Sequence, residues 1–367
     1  MKIGYIHDTP MPSPEASTVN VSKMCDAFAA NGHEVLLVTP WSRAGGDLSA
    51  HYGLRQPLKA MRVPRPNLPG GERFFSLAAA LMFRAFGADV VYGRKPHMLL
   101  PAARLGLPVI YEAHAPLLER EGRARKALAA LLKSDRLRRV AAISGALRDK
   151  LVSDWPLAAP VAIVAHDGAD ARSDGQAVLP RGSQSRPRIG YAGHLYPGKG
   201  MEMIFALAQR RPNVDFLVLG GKGEDLQRWR EATATMSNVT LAGMVPHSQV
   251  PVHLASCDLV LAPYAREVIV SDGVTDVAPW MSPLKVFEYM AQGLTIVASD
   301  LPVLREILQD GVDAALCPPG DVEAWLHTVD DLLEDEARRK ALGSAARAKL
   351  EAQFTWQERA RLVLAGA

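Results

Sequence analysis

The chain has 367 residues, enough for two domains of ordinary size. Hydrophobic residues make up 48% and charged residues 22%, which excludes a disordered chain, and the apolar runs fall short of the ~20 residues that span a bilayer. The net charge of +3 is unevenly spread, with 22 basic against 15 acidic residues up to Asp170 and 20 against 24 beyond it, so the two halves are expected to meet different partners.

KIGYIHD, from Lys2, is an apolar run and reads as a buried first strand with no signal peptide ahead of it. Ser17 to Ala30 carries Val21, Met24, Cys25 and Phe28 at helical spacing, with Ser17 as the cap and Asn31-Gly32 as the stop. HEVLLVTP is the next strand, ERFFSLAAALMFRAF a helix and ADVVYGR a strand. HMLLPAARLG, PVIYEAHA, a long basic helix from about Leu117, VAAIS and VAIVAHDG follow. Ala171 to Pro187 is polar and rich in Gly, Ser and Pro, and reads as a linker. The rhythm restarts with RIGYAGHL, VDFLVLGG, NVTLAGMV, CDLVLAPY, LTIVASD and DAALCPP, and Asp321 to Leu364 is helical. This alternation predicts an α/β protein of two doubly wound, Rossmann-like parallel-sheet domains, residues 1–175 and 187–352, facing a central cleft. Cys25, Cys257 and Cys317 are far apart and odd in number, which suits a reducing cytosol and no metal site.

Three junctions in the second domain carry chemistry. In GYAGHLYPGKG, glycines such as Gly193 and Gly198 allow close backbone approach to a phosphate, and Lys199 and His194 add donors; a tight turn with a solvated lysine is the plain alternative. LVLGGKGEDL is not a dinucleotide fingerprint. In MSPLKVFEYMAQGLTIVASDLPVLREI, Ser282-Pro283 signals a helix start with Ser as cap, which would aim the amides of Leu284 and Lys285 at an anion. Glu288 lies where a carboxylate can accept from a diol, or where it simply stabilises the helix.

Taken with VAHDGAD, AISGALRDKL, YEAHAP and FTWQERARLVL, these segments resemble the retaining family 4 glycosyltransferases (glycosyl transferases group 1) of GT-B fold across nearly the whole chain. The resemblance implies that Glu288 binds the ribose of a nucleoside-diphosphate sugar. It implies that Ser282, Leu284 and Lys285 hold the distal phosphate, with Gly193 and Gly198 in the same loop. Lys199, with His194, would neutralise the leaving diphosphate. His114 would face the transferred sugar, unless it is a structural histidine. Met244 and Val245 would contact the base, and His7, Ser17 and Arg94 would line the acceptor pocket. Residues 353–367 would form a helix crossing back to the first domain. The implied activity is that of a hexosyltransferase, cytoplasmic, acting by same-face attack on a hydroxyl acceptor (a glycan, a lipid-linked sugar or a small molecule), with no cofactor and no metal. Two departures stand out. The family's first basic residue is replaced by His194, and Trp280 stands where the Glu-x7-Glu motif has its first Glu. Asp272 or Asp276 is a candidate substitute. Alternatives are a GT-B sugar-nucleotide epimerase, a phosphorylase, or a non-catalytic nucleotide-sugar or glycan-binding protein.

No nucleic-acid motif accompanies the basic residues. Glu119 to Arg139 reads either as a basic amphipathic helix on an anionic membrane or as a domain helix with its leucines inward, and Phe74 to Phe86 is a second membrane candidate.

Overall fold

A computed structural model of the chain describes residues 1–13, 15–42, 46–118, 120–171, 186–246, 249–269 and 275–366. Two units result, Met1–Asp167 with Trp356–Ala367, and Gly168–Thr355. Residues 172–185 of the expected linker lie outside the described residues.

The first unit is built from β1 (Lys2–Ile6), α1 (Ala16–Ala30), β2 (Glu34–Pro40), α2 (Leu48–Tyr52), β3 (Lys59–Val63), α3 (Gly71–Phe86), β4 (Val90–Gly93), α4 (Pro96–Arg104), β5 (Val109–Ala113), α5 (Gly122–Leu132), β6 (Leu137–Ala142), α6 (Gly145–Asp154) and β7 (Ala162–Val164). Its sheet runs β3-β2-β1-β4-β5-β6-β7, all parallel. β4 and β5 are buried along their whole length, as strands covered by helices on both faces must be.

The second unit holds β8 (Arg188–Ala192), α7 (Met201–Arg210), β9 (Asp215–Leu219), α8 (Gly223–Ala232), β10 (Val239–Gly243), α9 (Val250–Leu254), β11 (Leu259–Ala262), α10 (Leu284–Ala291), β12 (Thr295–Ser299), α11 (Pro302–Arg305), β13 (Ala315–Cys317), α12 (Val322–Glu334) and α13 (Glu336–Gln353). Its sheet is also parallel, in the order β10-β9-β8-β11-β12-β13. Tyr191, Phe216, Leu207 and Trp325 centre its core. The last helix, α14 (Trp356–Leu364), belongs to the first unit.

Two local expectations are corrected. Ser17 does not cap α1, which starts at Ala16 after Glu15. The long basic helix is shorter than its composition suggests. Only Gly122–Leu132 is helical, and its Leu128 and Leu131 are buried. Leu137 to Arg139 instead enter β6, because LRRVAA pairs with β5, burying Leu137, Val140, Ala141 and Ala142 while Arg138 stays exposed. A basic amphipathic surface helix over 119–139 is therefore absent; residue 119 itself lies outside the described residues.

Candidate functional site

In the second unit the strand order reverses between β8 and β11, and open α/β sheets bind ligands at such a point. The loop Gly193 to Gly200 leaves β8 there. Gly220, at φ 112°, lies so close that an added Cβ would overlap the Gly193 carbonyl oxygen, so only glycine lets the two loops meet. The Gly220 N–H in turn donates to the Gly243 carbonyl at 2.7 Å. The ends of β8, β9 and β10 are thus drawn together, with Met244 exposed and Val245 half-buried just beyond. The Gly220-Gly221 pair, which reads in sequence only as a failed fingerprint, has this packing role. Gly198, at φ 83°, lies against the Glu267 carbonyl on the other side of the loop.

α10 enters the same region. Its first residue is Leu284, and Pro283 occupies the cap position with extended backbone and no side-chain cap bond. The expectation that buried Ser282 caps this helix is corrected by one residue, because the Pro283 carbonyl already closes the first turn by accepting from Val286 at 2.9 Å. The amides of Leu284 and Lys285 are among those with no carbonyl one turn back. Lys285 turns inward. Its Nζ sits 3.7 Å from the Tyr191 ring centroid and 4.9 Å from that of Tyr264, and has no hydrogen-bond partner among the described residues. It also abuts the Gly193 backbone, where an added Cβ would lie 3.0 Å from Nζ. Lys199 Nζ lies 5.2 Å from both the Tyr196 and Tyr264 rings.

Burial pushes the Lys285 ammonium well below its ordinary pKa, and Lys199 adds to this, while Glu288, one turn along α10, works against it. Burial lowers Lys199 to about 8. Burial, then Lys199, Lys222 and Lys285, lower His194, so its ring is neutral at pH 7 and stacks on Tyr196 at 5.6 Å. The loop is pinned by the Tyr191 hydroxyl, which donates to the carbonyls of His194 (2.7 Å) and Lys199 (3.1 Å). Tyr289 ties α10 to the sheet, donating to Leu261 O at 3.3 Å and accepting from Ala192 N–H at 2.8 Å. Two lysines thus meet over the Tyr264 ring they share, a concentration of like charge that an anion would relieve. Sequence reasoning missed the tyrosines; their only signal was an aromatic beside each strand end.

Asp276 Oδ1 accepts from the N–H groups of Val268 (2.8 Å) and Ala278 (2.9 Å), so it organises its own loop. Asp272 lies outside the described residues. Trp280 is half-buried.

In the first unit the order reverses between β1 and β4, which places His7 and Arg94 at the switch point. His7 is 3% exposed; Asp8 Oδ1 lies 3.6 Å from its Nδ1, and neither ring nitrogen has a hydrogen-bond partner among the described residues. Arg94 donates to the Ser17 carbonyl at 3.3 Å and lies 3.7 Å from Glu112 Oε1. Glu112, fully buried on β5, binds His114 Nε2 through Oε1 and accepts from the Tyr92 hydroxyl through Oε2. Arg359 of α14 donates to Glu112 Oε2 at 2.9 Å and lies 3.7 Å from Asp167, which accepts from Asn20 at 2.7 Å. Burial raises the Glu112 carboxyl, but Arg359, His114 and Arg94 outweigh it and hold it well below the carboxylate range. Burial and then Arg94 lower His114 to about 4. A neutral ring beside a carboxylate donates its Nε2 proton to it and keeps Nδ1 as an acceptor; this tautomer is assigned from the partner. Arg94 therefore ties the Ser17 carbonyl to Glu112, which also holds His114, while His7 feels the charge of Arg94 and Glu112 with no hydrogen bond to either among the described residues. Glu112 and Arg359 were not read as site residues, though a carboxylate inside the apolar run VIYEA was a signal.

Among the described residues no three His, Cys, Asp or Glu side chains converge as a metal site, and no helix is long and apolar enough to cross a membrane.

Residues 186–335 match the family described as glycosyl transferases group 1, and residues 18–172 match glycosyltransferase family 4. The chain is 25% identical to a GDP-mannose-dependent alpha-mannosyltransferase of Mycobacterium tuberculosis, over 94% of its own length and 91% of that protein. It is 30% identical to a phosphatidyl-myo-inositol mannosyltransferase of Mycolicibacterium smegmatis over 41% of its length, a match that spans only 36% of that protein. Among solved structures, Anabaena HepE in complex with UDP and glucose superimposes with a TM-score of 0.73 at 17% identity, covering 99% of this chain and 98% of that one. At that identity the likeness speaks for the fold.

Proposed function

The chain belongs to the family 4, group 1 glycosyltransferases of GT-B fold, and we propose that it moves a hexose from a nucleoside-diphosphate sugar to a hydroxyl acceptor, with retention at the anomeric carbon and without a metal. The observation that carries this reading is the buried Lys285 ammonium, held on Tyr191 and Tyr264 beside Lys199 without a carboxylate hydrogen-bonded to it among the described residues. A diphosphate is the anion that suits two ammoniums and a helix N-terminus together. The relatives support a sugar-nucleotide donor, since one is named for GDP-mannose and another structure holds UDP and glucose.

The chemical burden is departure of the diphosphate as positive charge develops on the sugar. Lys199 and Lys285 stabilise the leaving charge, and their lowered proton affinity rises as it arrives. His194, neutral, contributes a hydrogen bond rather than a charge. Glu288 accepts from the ribose hydroxyls, and Met244 and Val245 flank the base. On the acceptor side, His114 offers Nδ1 to a sugar hydroxyl, while His7, Ser17 and Arg94 line the pocket. The acceptor hydroxyl attacks from the face the diphosphate leaves, and the departing phosphate takes its proton. Replacing Glu288 or Lys199 by Ala is expected to abolish transfer and leave the circular dichroism unchanged; wild-type rates in both variants refute the assignment.

Trp280 and the neutral His194 favour one second reading, a protein that binds a nucleotide sugar without transferring it. Release of nucleoside diphosphate on mixing donor and acceptor separates the two.

A further inference from the structure

We propose that the outward face of α3 is a lipid-contacting surface that seats the first unit on an anionic bilayer. The inward side of α3 buries Phe75, Ala79 and Phe83. On the opposite side Phe74, Leu77 and Leu81 are 56%, 48% and 51% exposed, at the i, i+3, i+7 spacing of one stripe. A helix on a water-exposed surface carries charge in that position. Here the only charged residues of the helix are Glu72, Arg73 and Arg84, and Glu72 is paired with Arg123 at 2.8 Å.

The stripe has neighbours of the same character. Leu68, in the segment leading into α3, is 72% exposed. On the edge strand β3, Lys59 and Met61 share a face by the two-residue period, and Lys59 Nζ lies 5.2 Å from the Phe86 ring, so exposed Met61 adjoins α3. A single exposed leucine needs no explanation, but five exposed apolar side chains on and beside one helix mark a candidate interaction surface.

The rim identifies the partner. Arg73, Arg84 and Lys59 border the stripe, and α5, two helices along the same layer, exposes Arg123 and Lys126. Glu34 lies 3.9 Å from Lys59 Nζ and Glu72 pairs with Arg123, which leaves Arg73, Arg84 and Lys126 as basic groups with no carboxylate partner among the described residues. An apolar stripe with a basic border fits the headgroup boundary of a bilayer, where side-chain carbons enter the acyl region and guanidinium groups meet phosphates. A second copy fits poorly, since a two-fold contact would set the same arginines against each other.

This surface is independent of the donor site, and its test reads lipid rather than sugar transfer. The full chain is sedimented with vesicles of phosphatidylcholine alone and of phosphatidylcholine with phosphatidylglycerol. It is expected to pellet with the anionic vesicles, to be released by added salt, and to stay in solution with the neutral ones. The double variant Leu77→Asp, Leu81→Asp changes only exposed positions. It should keep the wild-type melting temperature and lose vesicle binding by about tenfold or more. Three results overturn the proposal: a wild-type chain that stays in solution with both vesicles, a variant that binds as tightly as wild type, or lipid-free dimers that vanish in the variant.

Discussion

Replacing Lys285 by Met should stabilise the ligand-free protein and remove its response to nucleoside diphosphates. Burying an ammonium without a hydrogen-bonded counter-charge costs several kcal/mol even after relaxation. The Tyr191 face at 3.7 Å and the Tyr264 face at 4.9 Å offset about 2 kcal/mol of that. The balance, roughly 1–3 kcal/mol, is what an uncharged side chain of similar length recovers. For a unit of this size each kcal/mol moves the melting temperature by about 2–4 °C, so a rise of several degrees is expected. A nucleoside diphosphate at a hundred times its Kd should stabilise the wild type by about 2.7 kcal/mol, and the variant by little of that. Scanning fluorimetry with and without UDP or GDP measures both arms. A variant that melts below wild type without ligand refutes the desolvation argument. One that keeps the full ligand shift refutes the anion assignment.

Two further outcomes concern the first unit. Arg359→Leu leaves Glu112 and Asp167 buried without their guanidinium and should cost about 3–5 kcal/mol in urea unfolding, part of which Glu112→Gln restores; a loss under about 1 kcal/mol would show that Arg94 and His114 suffice. Stability should also fall on acidification from pH 6.5 towards 4. His7 and His114 stand at about 4 against an ordinary 6.5, both mainly through burial, so each favours the fold fully above 6.5 and loses that contribution as pH falls to about 4. Asp167, raised by burial from 3.8 to about 6, works in the opposite direction and offsets about one of the two. The net direction is a loss, to which Glu112, held against the effect of burial below its ordinary range mainly by Arg359, adds as pH falls through the carboxylate range; urea midpoints that coincide at neutral and acid pH would contradict neutral buried histidines.

The strands were legible because a parallel sheet covered on both faces demands mostly apolar runs; β4, β5 and β12 are buried end to end, with Glu112 the one charged residue among them. The neighbourhood of Lys199 and Lys285 was legible only in part. Local sequence marks the loop and the helix start, but not that Tyr191 and Tyr264 receive the lysine, a pairing made by parallel strands far apart in the chain. The Glu112–Arg359 contact spans 247 residues, and no local pattern carries a separation of that kind. Helix ends were the weakest reading. At α1 and α10 a serine one or two positions from the true start resembled a cap, and in Glu119 to Arg139 a run of arginines resembled one helix although it contains a turn and a strand.

The place of Arg359 has a consequence for biosynthesis. Glu112 and Asp167 are made early, but the guanidinium that neutralises them is added only when the last helix is translated. The second unit, continuous from Gly168 to Thr355, has all its strands by then. On the ribosome the usual order is therefore inverted: the portion that emerges first must wait with Glu112 and Asp167 lacking the guanidinium they share, Arg94 alone facing Glu112, while the later portion completes its sheet. A stalled or prematurely released chain that lacks α14 would expose that unfinished interior to chaperones and proteases.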